Sequence, residues 1–173
     1  MRTRRKFLGA AAAAAVGSAV GCRGAASNLR CLTEREARTL DAITERIIPG
    51  VGNPGARQAG VIYYIDRQLT RRFREHRQTY RDGLAAADRL AGGDYAGSPT
   101  DVQEEILRKM ERDPATRPFF DLLVAHSMQG FYGNPSHGGN RDFVSWRMLG
   151  VSPLPVRGRD PYDFAKGGAN AKG

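Results

Sequence analysis

Cysteine is scarce in this 173-residue chain, with Cys22 and Cys31 its only two. No C-x-x-C pair can form, so neither a cysteine zinc site nor, through C-x-x-C-H, covalent haem attachment is encoded. H-E-x-x-H is absent, which removes the commonest helical zinc set, and none of the serines sits in a G-x-S-x-G elbow. No apolar run reaches the roughly 20 residues that span a bilayer. Sustained strand alternation and internal repeats are also missing, so sheet and solenoid architectures drop out.

What is present begins with a basic front, Arg2, Arg4, Arg5 and Lys6, followed by an uncharged Ala/Gly/Val run from Phe7 to Gly21. That is the form of a targeting segment, set aside from the fold as residues 1–26. Arg4-Arg5 followed by Phe7-Leu8 resembles the twin-arginine export signal, a route that carries proteins already folded. Two exits fit the sequence. Ser18-Ala19-Val20-Gly21-Cys22 resembles a lipoprotein box, which would place a lipid on Cys22, and Gly24-Ala25-Ala26 resembles a small-residue cleavage site. Cys31 is then either a lone thiol in an oxidising compartment or the partner of Cys22 in a short terminal bridge.

The formal net charge is +9, yet Arg2, Arg4, Arg5, Lys6 and Arg23 supply much of it and their removal leaves about +4. About 147 residues remain, one domain's worth and enough for a core without disulfides. Export from the cytoplasm excludes nucleic acid as a partner.

Leu32-Thr33-Glu34-Arg35-Glu36 carries a capping box, and Ala37, Leu40, Ile43 and Ile47 follow at helical spacing. This predicts an amphipathic helix that ends at Ile48-Pro49-Gly50. Gly50-Val51-Gly52-Asn53-Pro54-Gly55 spells G-x-G-x-x-G, but helix precedes it and no parallel sheet follows, so it reads as a turn. Ala59, Ile62, Ile65, Leu69, Phe73, His76, Tyr80, Leu84 and Ala87 predict helix from about 57 to 91, broken between Thr70 and Gln78, with His76 packed in the stripe. The arginines at 67, 71, 72, 74, 77 and 81 read as a solvated face, with acidic headgroups or an acidic partner as the alternative. Ser98-Pro99-Thr100-Asp101 predicts another helix start, with Pro99 at the first helical position and Val102, Ile106 and Met110 inward. A last helix spans about Arg117 to Tyr132, carrying Phe119, Leu122, Leu123, Ala125 and Met128. The fold class is all-α: a compact helical domain over 32–150 with a Gly/aromatic turn region, then an irregular Pro/Gly-rich tail at 151–173.

The run Gly130-Phe131-Tyr132-Gly133-Asn134-Pro135 ends a helix and turns the chain, and His137-Gly138-Gly139-Asn140 makes a second tight turn. Phe131, Tyr132, Phe143 and Trp146 are thereby gathered either into a satellite core or into an exposed aromatic patch. His126, His137 and Asp142 are the candidates for acid–base or metal chemistry, but no zinc spacing joins them.

Three motifs in order resemble the gluconate 2-dehydrogenase subunit 3 family: Leu32-Thr33 through Ile48-Pro49, Gly55 through Gly60-Val61 with Tyr64-Ile65-Asp66, and Gly130-Phe131-Tyr132-Gly133-Asn134-Pro135 with Gly138-Gly139-Asn140-Arg141-Asp142 and Trp146. The chain departs from the family pattern at Gly150-Val151-Ser152-Pro153 and at His137. The resemblance implies the small, gamma subunit of a periplasmic, inner-membrane-associated dehydrogenase for sugars or sugar acids. It implies no catalytic residue and no cofactor here: FAD would sit in a flavoprotein subunit of the glucose-methanol-choline type and c-type haem in a multihaem cytochrome c subunit. This chain would then escort the leaderless flavoprotein through the twin-arginine translocase and meet the membrane through its partners or a Cys22 lipid. Gly130 to Pro135, Gly138 to Asp142 and Trp146 become the expected partner interface, with Phe131, Tyr132 and Trp146 as rigid anchors. The rival expectation is an independent periplasmic lipoprotein, or a redox or metal-binding helical module using His126, His137 and Asp142.

Overall fold

The computed structural model describes residues 29–151. Arg4, Arg5, Phe7, Leu8 and Cys22 of the export and lipidation readings, and the tail from 152 onward, lie outside the described residues. The architecture is all-helical, with no strand among the described residues. Seven α-helices follow one another: α1 Glu34–Ile47, α2 Ala56–Ala59, α3 Val61–Leu69, α4 Arg77–Leu90, α5 Thr100–Arg112, α6 Arg117–Tyr132 and α7 Val144–Met148.

Helix α1 starts where its capping box requires. The Thr33 hydroxyl accepts from the Glu36 amide, and the Glu36 carboxylate accepts from the Thr33 amide at 2.8 Å. Its stripe of Ala37, Leu40 and Ile43 is buried, each large side chain contributing about 1.5–3 kcal/mol of hydrophobic burial. Ile47 is only half-buried, because the stripe reaches the rim of the core in the last turn. The G-x-G-x-x-G loop is a turn held by the Glu45 carboxylate, which accepts from the Gly50 and Arg57 amides at 2.9 Å each. It lies between the helices α1 and α2 rather than between a strand and a helix, so it lacks the setting of a dinucleotide cradle.

The helix expected from 57 breaks twice. Gly60, at φ +69°, separates α2 from α3. The second break falls in the expected window, where a turn and a 3₁₀ segment, Arg74–His76, lead into α4 and the Arg77 guanidinium donates to the Leu69 carbonyl at the end of α3. His76 is not packed inside: its side chain keeps 33% of its surface exposed, since the 3₁₀ turn rotates it to the edge of the core. Within the arginine run, Arg71, Arg72 and Arg74 are exposed, as both readings of the run require.

Helix α5 begins at Thr100, one residue later than expected, so Pro99 is its cap residue rather than its first helical position. Val102 faces solvent, whereas Ile106, Leu107 and Met110 face inward. Asp88 ties α1, α4 and the following loop together: it accepts from the Thr39 hydroxyl at 2.9 Å, the Arg35 guanidinium at 2.6 Å and the Tyr95 amide at 3.2 Å. The core between α1, α3, α4, α5 and α6 is filled by Leu40, Ile43, Ile65, Tyr80, Leu84, Met110, Phe119, Leu123 and Phe131.

Candidate interaction surface

The turn region after α6 folds around one side chain. Asn140 is fully buried; its amide donates to the Gly133 carbonyl at 2.9 Å and its side-chain oxygen accepts from the Ser145 amide at 3.0 Å. Both ends of the loop are thus pinned to a single residue. Asn134 accepts from the Ser136 amide in an Asx turn, and Pro135 opens the 3₁₀ segment Pro135–His137. Gly138 takes φ +110°, while Gly139 is needed for contact: a Cβ there would stand 2.1 Å from the Gly130 carbonyl oxygen. Asn140, Asp142 and Phe143 all have positive φ, of 42°, 53° and 56°. Three such residues in four positions is a concentration of backbone strain, held in place by the Asn140 pins.

The structure sorts the residues singled out from the sequence. Phe131 belongs to the core, and Gly130, Gly139 and Asn140 are buried, with Gly130 set against the Tyr64 ring. Gly133, Pro135 and Gly138 are half-buried and shape the loop. Tyr132, Asn134, Arg141 and Asp142 are exposed, and Trp146 is half-buried with its indole N–H donating to the Tyr132 carbonyl at 2.8 Å. Of the anchors expected, Tyr132 and Trp146 thus present surface, whereas Phe131 has none to offer a partner.

Residues 34–153 match the family model of gluconate 2-dehydrogenase subunit 3. The chain belongs to this family. No curated protein and no solved structure matches it significantly.

Within this subunit 3 fold the apolar surface is unevenly spread. Eight large apolar side chains are exposed among the described residues, and five of them, Met128, Tyr132, Met148, Leu149 and Val151, come from the end of α6 and from α7 onward. Trp146 joins these two segments through its bond to Tyr132. The result is an apolar ridge contributed by the two segments that flank the pinned loop, tied to each other by the Trp146–Tyr132 bond. Sequence periodicity placed Met128 among the apolar residues of the last helix without showing that it faces outward, because α6 is apolar on most sides, and it did not single out Met148 or Leu149, because α7 is one short turn.

The histidines are placed apart. His126 is buried, stacked on Phe73 with ring centroids 3.8 Å apart, and its Nδ1 lies 2.9 Å from the Tyr80 hydroxyl. Burial first, and then nearby His76, hold its pKa down to about 4, with Glu75 opposing weakly. His137 and Asp142 are exposed on the loop, and no hydrogen bond or ion pair among the described residues joins them to His126 or to each other. No group of three or more potential metal-ligating side chains occurs among the described residues.

On the other side of the same loop, Arg30, Tyr63, Asp66, Arg67, Gly138 and Arg141 line an open cleft of about 400 Å³. Asp66 is buried and its carboxylate is saturated by the backbone amides of Arg30, Cys31 and Leu32 at 2.7, 2.9 and 3.0 Å. This fixes the segment leading into α1, half-buries Cys31 and pushes its thiol pKa up, mainly by desolvation.

Proposed function

We propose that this chain is the non-catalytic small subunit of an FAD-dependent sugar or sugar-acid dehydrogenase complex, binding and stabilising the flavoprotein and escorting it through the twin-arginine translocase to the periplasm. The observation that carries the proposal is the apolar surface of Met128, Tyr132, Trp146, Met148 and Leu149 on the two segments that flank a loop pinned by buried Asn140. The aromatic rings suit association because little conformational freedom is lost when they dock, and the flexible methionines adapt to a partner's surface. Membership of the subunit 3 family supports a gluconate-dehydrogenase-type complex as its setting, and the likeness of Arg4-Arg5-Phe7-Leu8 to a twin-arginine signal supports the route. FAD and c-type haem belong to the partner flavoprotein and cytochrome, and the membrane is met through them or through a lipid on Cys22.

Co-expression of the flavoprotein with and without this chain tests the proposal. With the chain, the flavoprotein reaches the periplasm and copurifies with it; Tyr132→Ser combined with Met128→Ser, both exposed changes, lowers the copurified fraction about tenfold or more while the helical fold persists by circular dichroism. A flavoprotein exported and fully active in the absence of this chain would overturn it.

A further inference from the structure

Three arginines meet in the cleft beside the loop. Six others are ion-paired, among them Arg35 with Asp88 at 2.6 Å, Arg57 with Asp41 at 2.7 Å and Arg38 with Asp94 at 2.8 Å, whereas Arg71, Arg72 and Arg74 stand exposed on the surface rather than lining a recess. None of the ion pairs among the described residues includes Arg30, Arg67 or Arg141, although the three converge on one cleft from three separate segments. The single carboxylate present, Asp66, accepts from three backbone amides and formally offsets one of the three guanidiniums, leaving an excess of two positive charges.

Two of the three guanidiniums are positioned. Arg67 donates to the Ser136 carbonyl at 2.7 Å, and Arg141 lies 4.9 Å from the centre of the Tyr63 ring, within cation–π range. Gly60 makes room for the latter, since a Cβ there would come within 3.4 Å of the Arg141 guanidinium. Preoriented forks of this kind match the planar, two-oxygen face of a carboxylate.

We infer that this cleft is a carboxylate receptor that seats an aspartate or glutamate side chain of the flavoprotein subunit, an inference that rests on the small-subunit reading above. A free small anion would be poorly held, because Arg30 and Arg141 are exposed to water and salt, and the anion would surrender its own translational freedom. An acid delivered on a docking protein meets neither obstacle: the larger interface fixes its position and excludes water. A lipid headgroup layer favours a flat basic face, whereas these arginines line a recess. The 133–143 loop carries Gly138 and Arg141 of the cleft and leads into the Trp146 ridge, so one pinned segment presents both the apolar and the charged determinants.

The test uses the co-expressed complex carrying the full chain. Arg30→Gln with Arg141→Gln raises the dissociation constant about tenfold or more at low salt and flattens its salt dependence, while the unfolding midpoint of the small subunit changes little. In a second variant, Arg141→Lys, a carbodiimide joins the introduced amine to a carboxylate in direct contact, and mass spectrometry of the linked peptides identifies an aspartate or glutamate of the flavoprotein. Unchanged affinity and salt dependence in the glutamine variant overturns the inference. So does a link only to acids of this same chain, such as Asp160 or Asp163. Binding of the parent chain, but not the glutamine variant, to vesicles of anionic lipid, with no link to the flavoprotein, overturns it in favour of a membrane. Failure of the parent chain to copurify at all overturns the small-subunit reading, and this one with it.

Discussion

Asn140 shows how one side chain can hold a functional surface. It satisfies a carbonyl seven residues back and an amide five residues on, while occupying φ 42°, a conformation that asparagine tolerates better than most residues. Asn140→Ala strands both backbone groups in a buried place, at about 1–3 kcal/mol, and adds roughly 1 kcal/mol of left-handed backbone cost. The expected result is a loss of about 2–4 kcal/mol in urea denaturation. Asn140→Gly removes the same hydrogen bonds but relieves the backbone, so it should recover about 1 kcal/mol of that loss. If alanine and glycine are equally damaging, the positive φ carries no strain. Sequence alone marked Asn140 as a turn residue; its pinning role depends on where Gly133 and Ser145 come to rest, which no spacing rule encodes.

At the scale of elements, α4 meets α6 tightly at Gly83. A Cβ at this position would stand 2.1–2.5 Å from the Phe119 ring, and Phe119 is itself held edge-on to Tyr80 with planes at 90°. Helix propensity alone favours Gly83→Ala by about 1 kcal/mol. Overpacking against a ring that cannot retreat costs about 1–3 kcal/mol or more, so the substitution should destabilise. Ala85→Gly, an exposed change on the same helix, provides the propensity scale, with an expected loss of about 1 kcal/mol. A stabilised Gly83→Ala protein in thermal or urea unfolding would mean that the helices can separate freely. Elements were legible from the sequence where local chemistry decides them. The α1 capping box and the break before α4 follow from neighbouring residues, whereas the break at Gly60 and the outward turn of Val102 follow from packing between distant segments. The arginine cleft was invisible for the same reason: Arg30, Arg67 and Arg141 are far apart along the chain.

At the scale of the whole molecule, the buried cluster of Phe73, Tyr80 and His126 links stability to acidity. His126 sits between the two rings, and its pKa is held to about 4 against an ordinary value near 6.5, chiefly because burial disfavours the imidazolium. Between those two values the unfolded chain takes up a proton that the folded chain refuses. Stability from this group is therefore fully present above pH 6.5 and is lost as pH falls toward 4, by about 2–3 kcal/mol in total. His126→Phe removes the linkage while keeping an aromatic plane in the stack, at the cost of leaving the Tyr80 hydroxyl without its 2.9 Å partner. The variant should be less stable than the parent at pH 7.5 and should gain on it by about 2 kcal/mol by pH 4.5, read from urea unfolding at both pH values. Carboxylate titrations common to both proteins cancel in that difference. A parent-to-variant gap that stays constant with pH would mean that His126 has the same pKa in the folded and unfolded chains, so that burial in the cluster does not disfavour the imidazolium. A gap that widens as pH falls would mean the opposite, an imidazolium stabilised inside the fold, and would reopen the acid–base chemistry set aside for this histidine.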